Sequence, residues 1–332
     1  MPFLEHFGFT ERPFALTPNC ELYYPSEAHQ EVLRSLAYAI QRGEGIVKVS
    51  GEVGTGKTLL CRLLIAALIE SKTVAYIINP QDDSDWVMGA VCREFGLDPD
   101  GPGDPFHRLN AFLLEQFREG RSAVLMVDEA QALGMVGLET VRRLSNLETE
   151  KSKLLQIILF GQPELDRLLM THGLRQLNQR IVFSFTIAPL SLDTTVDYVR
   201  YRVRRSSEDV AAADKLFDAK ALRAIARVSR GIPRLANIIA DKSLLAAYCE
   251  SATQVAPQHV REAVADSTEA LGWRARWGGV GGWNRIAPVV APTVGAVVVL
   301  GALGWWAIDG GGAGIEWSLT DSLSSLFGRA DR

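Results

Sequence analysis

Eight consecutive residues, Gly51-Glu52-Val53-Gly54-Thr55-Gly56-Lys57-Thr58, match the pattern G-x-x-x-x-G-K-[ST]. Glycines lack a Cβ, so successive backbone N–H groups can curl around an anion there. A helix opening at Lys57 would add the partial positive charge of its N-terminus. Lys57 could then reach the outer phosphates of a nucleoside triphosphate, and the Thr58 hydroxyl could ligate Mg²⁺. The candidate nucleotide contacts are therefore Gly51, Glu52, Val53, Gly54, Thr55, Gly56, Lys57, Thr58 and Leu59.

About 70 residues on, Val124-Leu125-Met126-Val127 ends in Asp128-Glu129. Two carboxylates at the end of a buried apolar strand are costly unless something compensates their charge. Mg²⁺ would compensate Asp128, making Thr58 and Asp128 the candidate metal ligands. Glu129 could polarise the water that attacks the γ-phosphorus, which favours hydrolysis over binding alone. Leu159-Phe160-Gly161-Gln162 closes another apolar run, and Gln162 could touch the γ-phosphate or that water. Charge accumulating on the γ-oxygens calls for an arginine. Arg175 and Arg180 precede the Ile181 strand, and Arg180 is the preferred candidate for supply in trans, to a neighbouring copy. Arg234, after Gly231-Ile232-Pro233, would contact the nucleotide in cis. The candidate catalytic set is thus Lys57, Glu129, Gln162, Arg180 and Arg234.

The elements that must position these groups alternate. Strands are expected at Ile46–Val49, Thr73–Ile78, Ala123–Val127, Leu154–Phe160 and Ile181–Ile187. Helices are expected at Ser26–Gln41, Lys57–Glu70, Trp86–Phe95, Phe106–Phe117 and Val136–Leu147. This alternation predicts an α/β fold with a parallel sheet flanked by helices. After Pro189 the pattern is helical only, at Thr194–Arg205, Asp218–Ser229, Arg234–Cys249 and Pro257–Ala265. Six divisions follow: an N-terminal segment 1–44 over the nucleotide site, a nucleotide-binding core 45–190, a helical lid 191–270, a Gly/Trp/Arg linker 271–285, an apolar segment 286–308 and a tail 309–332.

The chain has 332 residues, 47% hydrophobic and 22% charged, with a formal net charge of −4. That is ordinary globular composition, and it excludes a bulk polycation of the kind that binds nucleic acid indiscriminately. Locally the balance differs: Arg175 to Arg234 holds 12 basic and 6 acidic residues. Cys20, Cys61, Cys92 and Cys249 are scattered, with no CxxC, so neither a disulfide framework nor a zinc ribbon is expected. The first 15 residues lack the apolar run of a signal peptide.

Together these residues resemble the AAA+ ATPases. The resemblance makes Gly51–Thr58 the Walker A motif and Asp128-Glu129 the end of Walker B. It places sensor 1 near Gln162, the arginine finger at Arg180 and sensor 2 at Arg234. Within that class, His6-Phe7-Gly8-Phe9-Thr10-Glu11-Arg12-Pro13-Phe14 with Thr17-Pro18-Asn19 is similar to the ExeA-type secretion ATPases. Phe160-Gly161-Gln162-Pro163-Glu164-Leu165 and Gly231-Ile232-Pro233-Arg234 are similar to the same group. Phe14-Ala15-Leu16-Thr17-Pro18-Asn19 and Leu59-Leu60-Cys61-Arg62 look closest to the ATPases of mannose-sensitive haemagglutinin (MSHA) type IV pilus biogenesis. The resemblance spans roughly residues 3–270. It implies ATP and Mg²⁺ as ligands, a homo-oligomer and possible ring, and pilus or secretion assembly proteins as partners. In such folds the N-terminal segment lies across the base pocket, so Tyr23, Tyr24 and His29 are candidate adenine contacts. ExeA-type proteins often carry a periplasmic peptidoglycan-binding domain after the membrane span. Only 24 residues follow Ile308 here, which suits the shorter pilus-type member.

Ile286 to Ile308 is 23 residues without a charge. A helix of that length reaches about 34 Å, enough for a hydrocarbon core of about 30 Å. Six of the seven tryptophans fall in or beside it, and Arg274, Arg276 and Arg285 precede it. The expectation is a single transmembrane helix in a bacterial inner membrane, contacting lipid through 286–308, with the ATPase domain cytoplasmic. Nucleic acid is not expected as a partner on this reading. The alternative is a nucleic-acid-dependent regulator similar to the transposition ATPases, which the basic stretch permits and the apolar span disfavours.

Overall fold

The structure is a computed structural model that describes residues 2–43, 45–150 and 152–267. The linker 271–285, the apolar segment 286–308 and the tail 309–332 lie outside the described residues. Among the described residues no helix is long and apolar enough to cross a membrane.

The chain opens with α1 (Pro2–Phe7) and α2 (Glu27–Arg42). Then come β1 (Ile46–Gly51), α3 (Lys57–Leu68), β2 (Lys72–Ile77), α4 (Ser84–Glu94), α5 (Pro105–Arg118) and β3 (Ser122–Val127). A 3-10 turn at Ala130–Leu133 leads to α6 (Gly134–Leu144), β4 (Leu155–Gly161), α7 (Pro163–Leu169), α8 (Arg175–Asn178) and β5 (Ile181–Ile187). Helices α9 (Leu192–Arg205), α10 (Val210–Leu216), α11 (Ala219–Ser229), α12 (Pro233–Cys249) and α13 (Pro257–Ala265) follow. The short α1, α7, α8 and α10 span two turns or fewer, too few to establish a hydrophobic period in the sequence.

The five strands form one parallel sheet in the order β2-β3-β4-β1-β5. Side-chain alternation divides its core in two. Leu125, Val127, Ile157 and Leu159 face one side, where they pack with Val87 of α4, Leu109 and Leu113 of α5 and Leu138 of α6. Val124, Met126, Ile158 and Phe160 face the other, packing with Leu36 of α2 and Leu60 and Leu64 of α3. Strand β4 is buried at every position because both of its faces and both of its edges are covered. Edge strand β5 instead alternates half-buried with exposed residues up to its last, Ile187.

Helices α9 to α13 form a second core around Val199, Leu222, Ile225, Ile239, Leu244 and Val260. Residues before α2 are shared between the two cores. Phe9 and Phe14 are buried in the helical domain, and the Pro13 carbonyl accepts from the buried Arg202 Nε at 2.6 Å. α2 itself belongs to the sheet domain.

Candidate nucleotide site

Parallel strands bring the carboxyl ends of β1, β3 and β4 to one edge of the sheet, the usual place for a ligand in open α/β folds. The Gly51–Thr58 loop leaves β1 and enters α3 there. Gly54 and Gly56 have φ of +82° and +99°, a region that side chains rarely adopt, so glycine is required at both. The Thr55 hydroxyl donates to the Glu52 carbonyl at 2.8 Å and stitches the loop to itself. His29, in the first turn of α2, supports it from below. Its Nε2–H donates to the Thr55 carbonyl at 2.8 Å, while Nδ1 is buried without a partner. Burial pulls the His29 pKa below its ordinary value and outweighs the opposing effect of the Thr55 carbonyl.

Lys57 is only 4% exposed. Its ammonium donates to the carbonyls of Gly51 at 2.8 Å and Glu52 at 3.0 Å. Burial lowers its pKa, and Glu129, Asp128 and Glu52 oppose that effect. An ammonium has three donors, so a buried one with two carbonyl partners is suited to an incoming phosphate oxygen. Val53 stands exposed at the loop tip, and Leu59 continues the first turn of α3.

Asp128 ends β3 and is 1% exposed. Its Oδ2 accepts from the Thr58 hydroxyl at 2.7 Å and from the Tyr76 hydroxyl at 3.4 Å; its Oδ1 accepts from the Glu129 N–H at 2.9 Å. A buried carboxylate beside a hydroxyl is an oxygen donor pair that fits Mg²⁺. Glu129 stands in the left-handed region at φ 53°. Its Oε2 accepts from Gln162 Nε2 at 2.6 Å and also from Gln131 Nε2.

From the helical domain, the Arg234 N–H donates to the Gly54 carbonyl at 3.2 Å. A Cβ on Gly54 would lie 2.6 Å from Arg234 Cβ, so the first turn of α12 sits directly on the loop. Three residues on, Asn237 Oδ1 accepts from the Tyr198 hydroxyl at 2.8 Å.

The structure thus brings Lys57, Thr58, Asp128, Glu129, Gln162 and Arg234 to one place. Arg180 is elsewhere. β1 and β5 pair with Ile46 beside Ile181 and Gly51 beside Ile187, so Arg180 lies at the opposite end of the strand from the loop. Six residue steps span about 20 Å. Its guanidinium donates to Ser145 Oγ at 3.0 Å, whereas Arg175 is exposed at the start of α8. The three aromatic candidates also divide. Tyr24 packs on Tyr198 and Tyr201 of α9, whereas the Tyr23 ring lies 6.2 Å from that of His29. Burial of the unpartnered Tyr23 hydroxyl pushes its pKa up to about 12.

Sequence reasoning missed Gln131 and Tyr76. Gln131 lies only two residues after Glu129, but its return to the carboxylate depends on the left-handed turn at Glu129. Tyr76 reaches Asp128 because β2 and β3 are paired in register, Tyr76 beside Met126.

Residues 40–169 match the AAA domain family. Over 307 residues the chain is 38% identical to General secretion pathway protein A of Aeromonas hydrophila, an alignment covering 92% of this chain and 53% of that protein. The chain is an ExeA-type AAA+ protein. It spans about half the length of that relative. The family's fold extends to solved structures of low identity. The ADP form of Aeropyrum pernix ORC2 matches with a TM-score of 0.59 at 17% identity, over 96% of this chain and 84% of that one. Cdc6p from Pyrobaculum aerophilum matches with a TM-score of 0.56 at 19% identity, over 76% of this chain and 73% of that one. At such identities the likeness is one of fold.

Proposed function

We propose that the protein is a membrane-anchored ATPase that drives or gates assembly of a type IV pilus or related secretion machinery. The observation that carries the ATPase reading is the single cluster of Lys57, Thr58, Asp128 and Glu129 at the carboxyl edge of the sheet. In this reading the Gly51–Leu59 backbone and Lys57 hold the phosphates of ATP. Thr58 and Asp128 would hold Mg²⁺, which would supply neutralisation of the phosphate charge. Glu129 takes a proton from the attacking water, and Gln162 orients that carboxylate. Arg234 ties α12 to the loop, so the helical domain acts as a lid whose position follows the nucleotide.

Arg180 is too far from its own site to serve it, which supports a role in trans and therefore a homo-oligomer, for which a ring is one arrangement. The 38% identity to a general secretion protein supports an envelope-assembly role. The Phe14–Asn19 and Leu59–Arg62 motifs favour the MSHA-type pilus branch, and the uncharged 286–308 segment supports anchoring in the inner membrane.

Nucleotide binding and turnover test the core of this reading. Lys57→Ala removes the side-chain cation of the cradle and should abolish ATP binding. Glu129→Gln should still bind ATP but hydrolyse it far more slowly, because an amide does not accept the proton. Equal ATP affinity in wild type and Lys57→Ala would overturn the site. A pull-down from detergent-solubilised membranes with Glu129→Gln in ATP tests the assembly role. Recovery of DNA-transaction proteins instead of envelope proteins would favour the transposition-type regulator.

A further inference from the structure

Two glutamines hold the carboxylate of Glu129. Gln162 Nε2 and Gln131 Nε2 both donate to the same oxygen, Oε2. Gln131 then turns its other end toward Gln162, and its Oε1 accepts the Gln162 backbone N–H at 3.0 Å. Glu129, Gln131 and Gln162 therefore close a triangle that joins the end of β3 to the end of β4. The backbone is shaped to allow it. Glu129 adopts φ 53°, and the 3-10 turn that follows brings residue 131 back alongside it. At Gly161 a Cβ would lie 3.3 Å from Gln131 Oε1 and 2.6 Å from Leu165 Cδ2, so the missing side chain leaves the amide its space.

The hydrogen-bond count is uneven between the two carboxylate oxygens. A carboxylate has about four lone-pair sites, two on each oxygen. Two amide donors fill those of Oε2. Oε1 accepts no hydrogen bond among the described residues. The carboxylate plane is pinned at one oxygen, and the other is left for a ligand.

We infer that Gln131 is a positioning residue for hydrolysis, pinning Glu129 Oε2 together with Gln162 so that Oε1 faces the attacking water. This rests on the ATPase reading above. In the step, water gives a proton to Oε1 as its oxygen bonds to the γ-phosphorus. The bond from the γ-phosphorus to the leaving oxygen of ADP breaks with its electron pair staying on that oxygen. Gln131 touches neither water nor phosphate and acts only through Glu129. The terminal torsion of a glutamate is broad when nothing holds it. A misplacement of about 1 Å at a reacting group costs about 10²-fold in rate.

Gln131→Leu and Gln131→Met remove both polar ends at nearly constant volume, so one serves if the other folds poorly. The measurements are kcat and KM for ATP, the Kd of a fluorescent ATP analogue and the thermal midpoint, all on the full chain. The expected result is a fall in kcat of about 10- to 100-fold, with KM and Kd within about twofold of wild type. Gln162→Leu added to Gln131→Leu should cost less than the product of the two single losses, because both act on one oxygen. An unchanged kcat in a folded variant would overturn the inference. So would a loss of Kd equal to the loss of kcat, which marks a general scaffold, or strictly multiplicative losses in the double variant. If wild type itself does not hydrolyse ATP, the ATPase reading fails and the positioning role goes with it. Hydrolysis by wild type that Gln131→Leu leaves intact sinks the positioning role alone.

Discussion

Gly43→Ala and Gly54→Ala place the same methyl group on backbones of the same hand, at φ +69° and +82°. At Gly43 the new Cβ meets nothing within 4 Å. At Gly54 it meets Arg234 Cβ at 2.6 Å, Ile232 Cγ2 at 3.2 Å and Arg234 Cδ at 3.3 Å. The left-handed backbone by itself costs an L-residue roughly 1–2 kcal/mol, and Gly43→Ala should show only that. Gly54→Ala adds overpacking of about 1–3 kcal/mol. A Cβ cannot swing aside as a side-chain tip can, so relief requires moving the first turn of α12. That movement also strains the Arg234 N–H bond to the Gly54 carbonyl, worth about 1 kcal/mol net. Gly54→Ala should therefore exceed Gly43→Ala by at least about 2 kcal/mol in urea unfolding at neutral pH. Because the displaced loop is the phosphate cradle, Gly54→Ala should also weaken ATP binding by about 10-fold or more, or about 1.4 kcal/mol. Gly43→Ala should leave ATP affinity alone. Equal destabilisation by the two substitutions would refute the close seating of α12 on the loop.

Arg180→Ala should keep nucleotide affinity and lose turnover by about 10³-fold if it serves a neighbour's site; Arg175→Ala is the parallel test, and whichever is the trans residue should regain activity when mixed with Glu129→Gln subunits. No rescue in a demonstrably mixed oligomer would count against both. His29 gives a pH dependence. Its lowered pKa means the native state binds fewer protons than the unfolded chain below the ordinary value of about 6.5, so its contribution is complete above that pH and is lost as pH falls. His29→Gln should flatten the acid side of the unfolding midpoint, and an acid limb as steep as wild type would show that His29 is not its source. The full chain should sediment with membranes and resist carbonate extraction. A cysteine placed at Ser324 should react with an impermeant thiol reagent outside spheroplasts; labelling only after lysis would reverse the topology.

Much of the site was legible because its requirements are local. A phosphate loop needs glycines, a lysine and a hydroxyl within eight residues of chain, so Gly51–Thr58 declares itself. Strands β3 and β4 are buried on both faces, so their residues read as continuous apolar runs, and the polar groups that end them, Asp128-Glu129 and Gln162, stand out. Helix starts were legible to within two residues: those expected at Ser26, Trp86 and Phe106 lie at Glu27, Ser84 and Pro105, where Ser26, Asp83 and Asp104 each cap with a side-chain oxygen. Where a contact depends on two distant segments meeting, the sequence names the residue but not its neighbour. Arg234 is expected at the nucleotide, yet it follows Gly54 by 180 positions, and only the docking of α12 seats it on that glycine. The distance of Arg180 from its own phosphate loop comes from the register of β1 with β5, which no single strand carries. The division of the N-terminal segment follows from where Phe9 and Phe14 find an apolar core that already has room for them. Gln131 is the sharpest case: its residue type is unremarkable in a loop, and only a left-handed turn at Glu129 and a missing Cβ at Gly161 bring its amide onto the carboxylate.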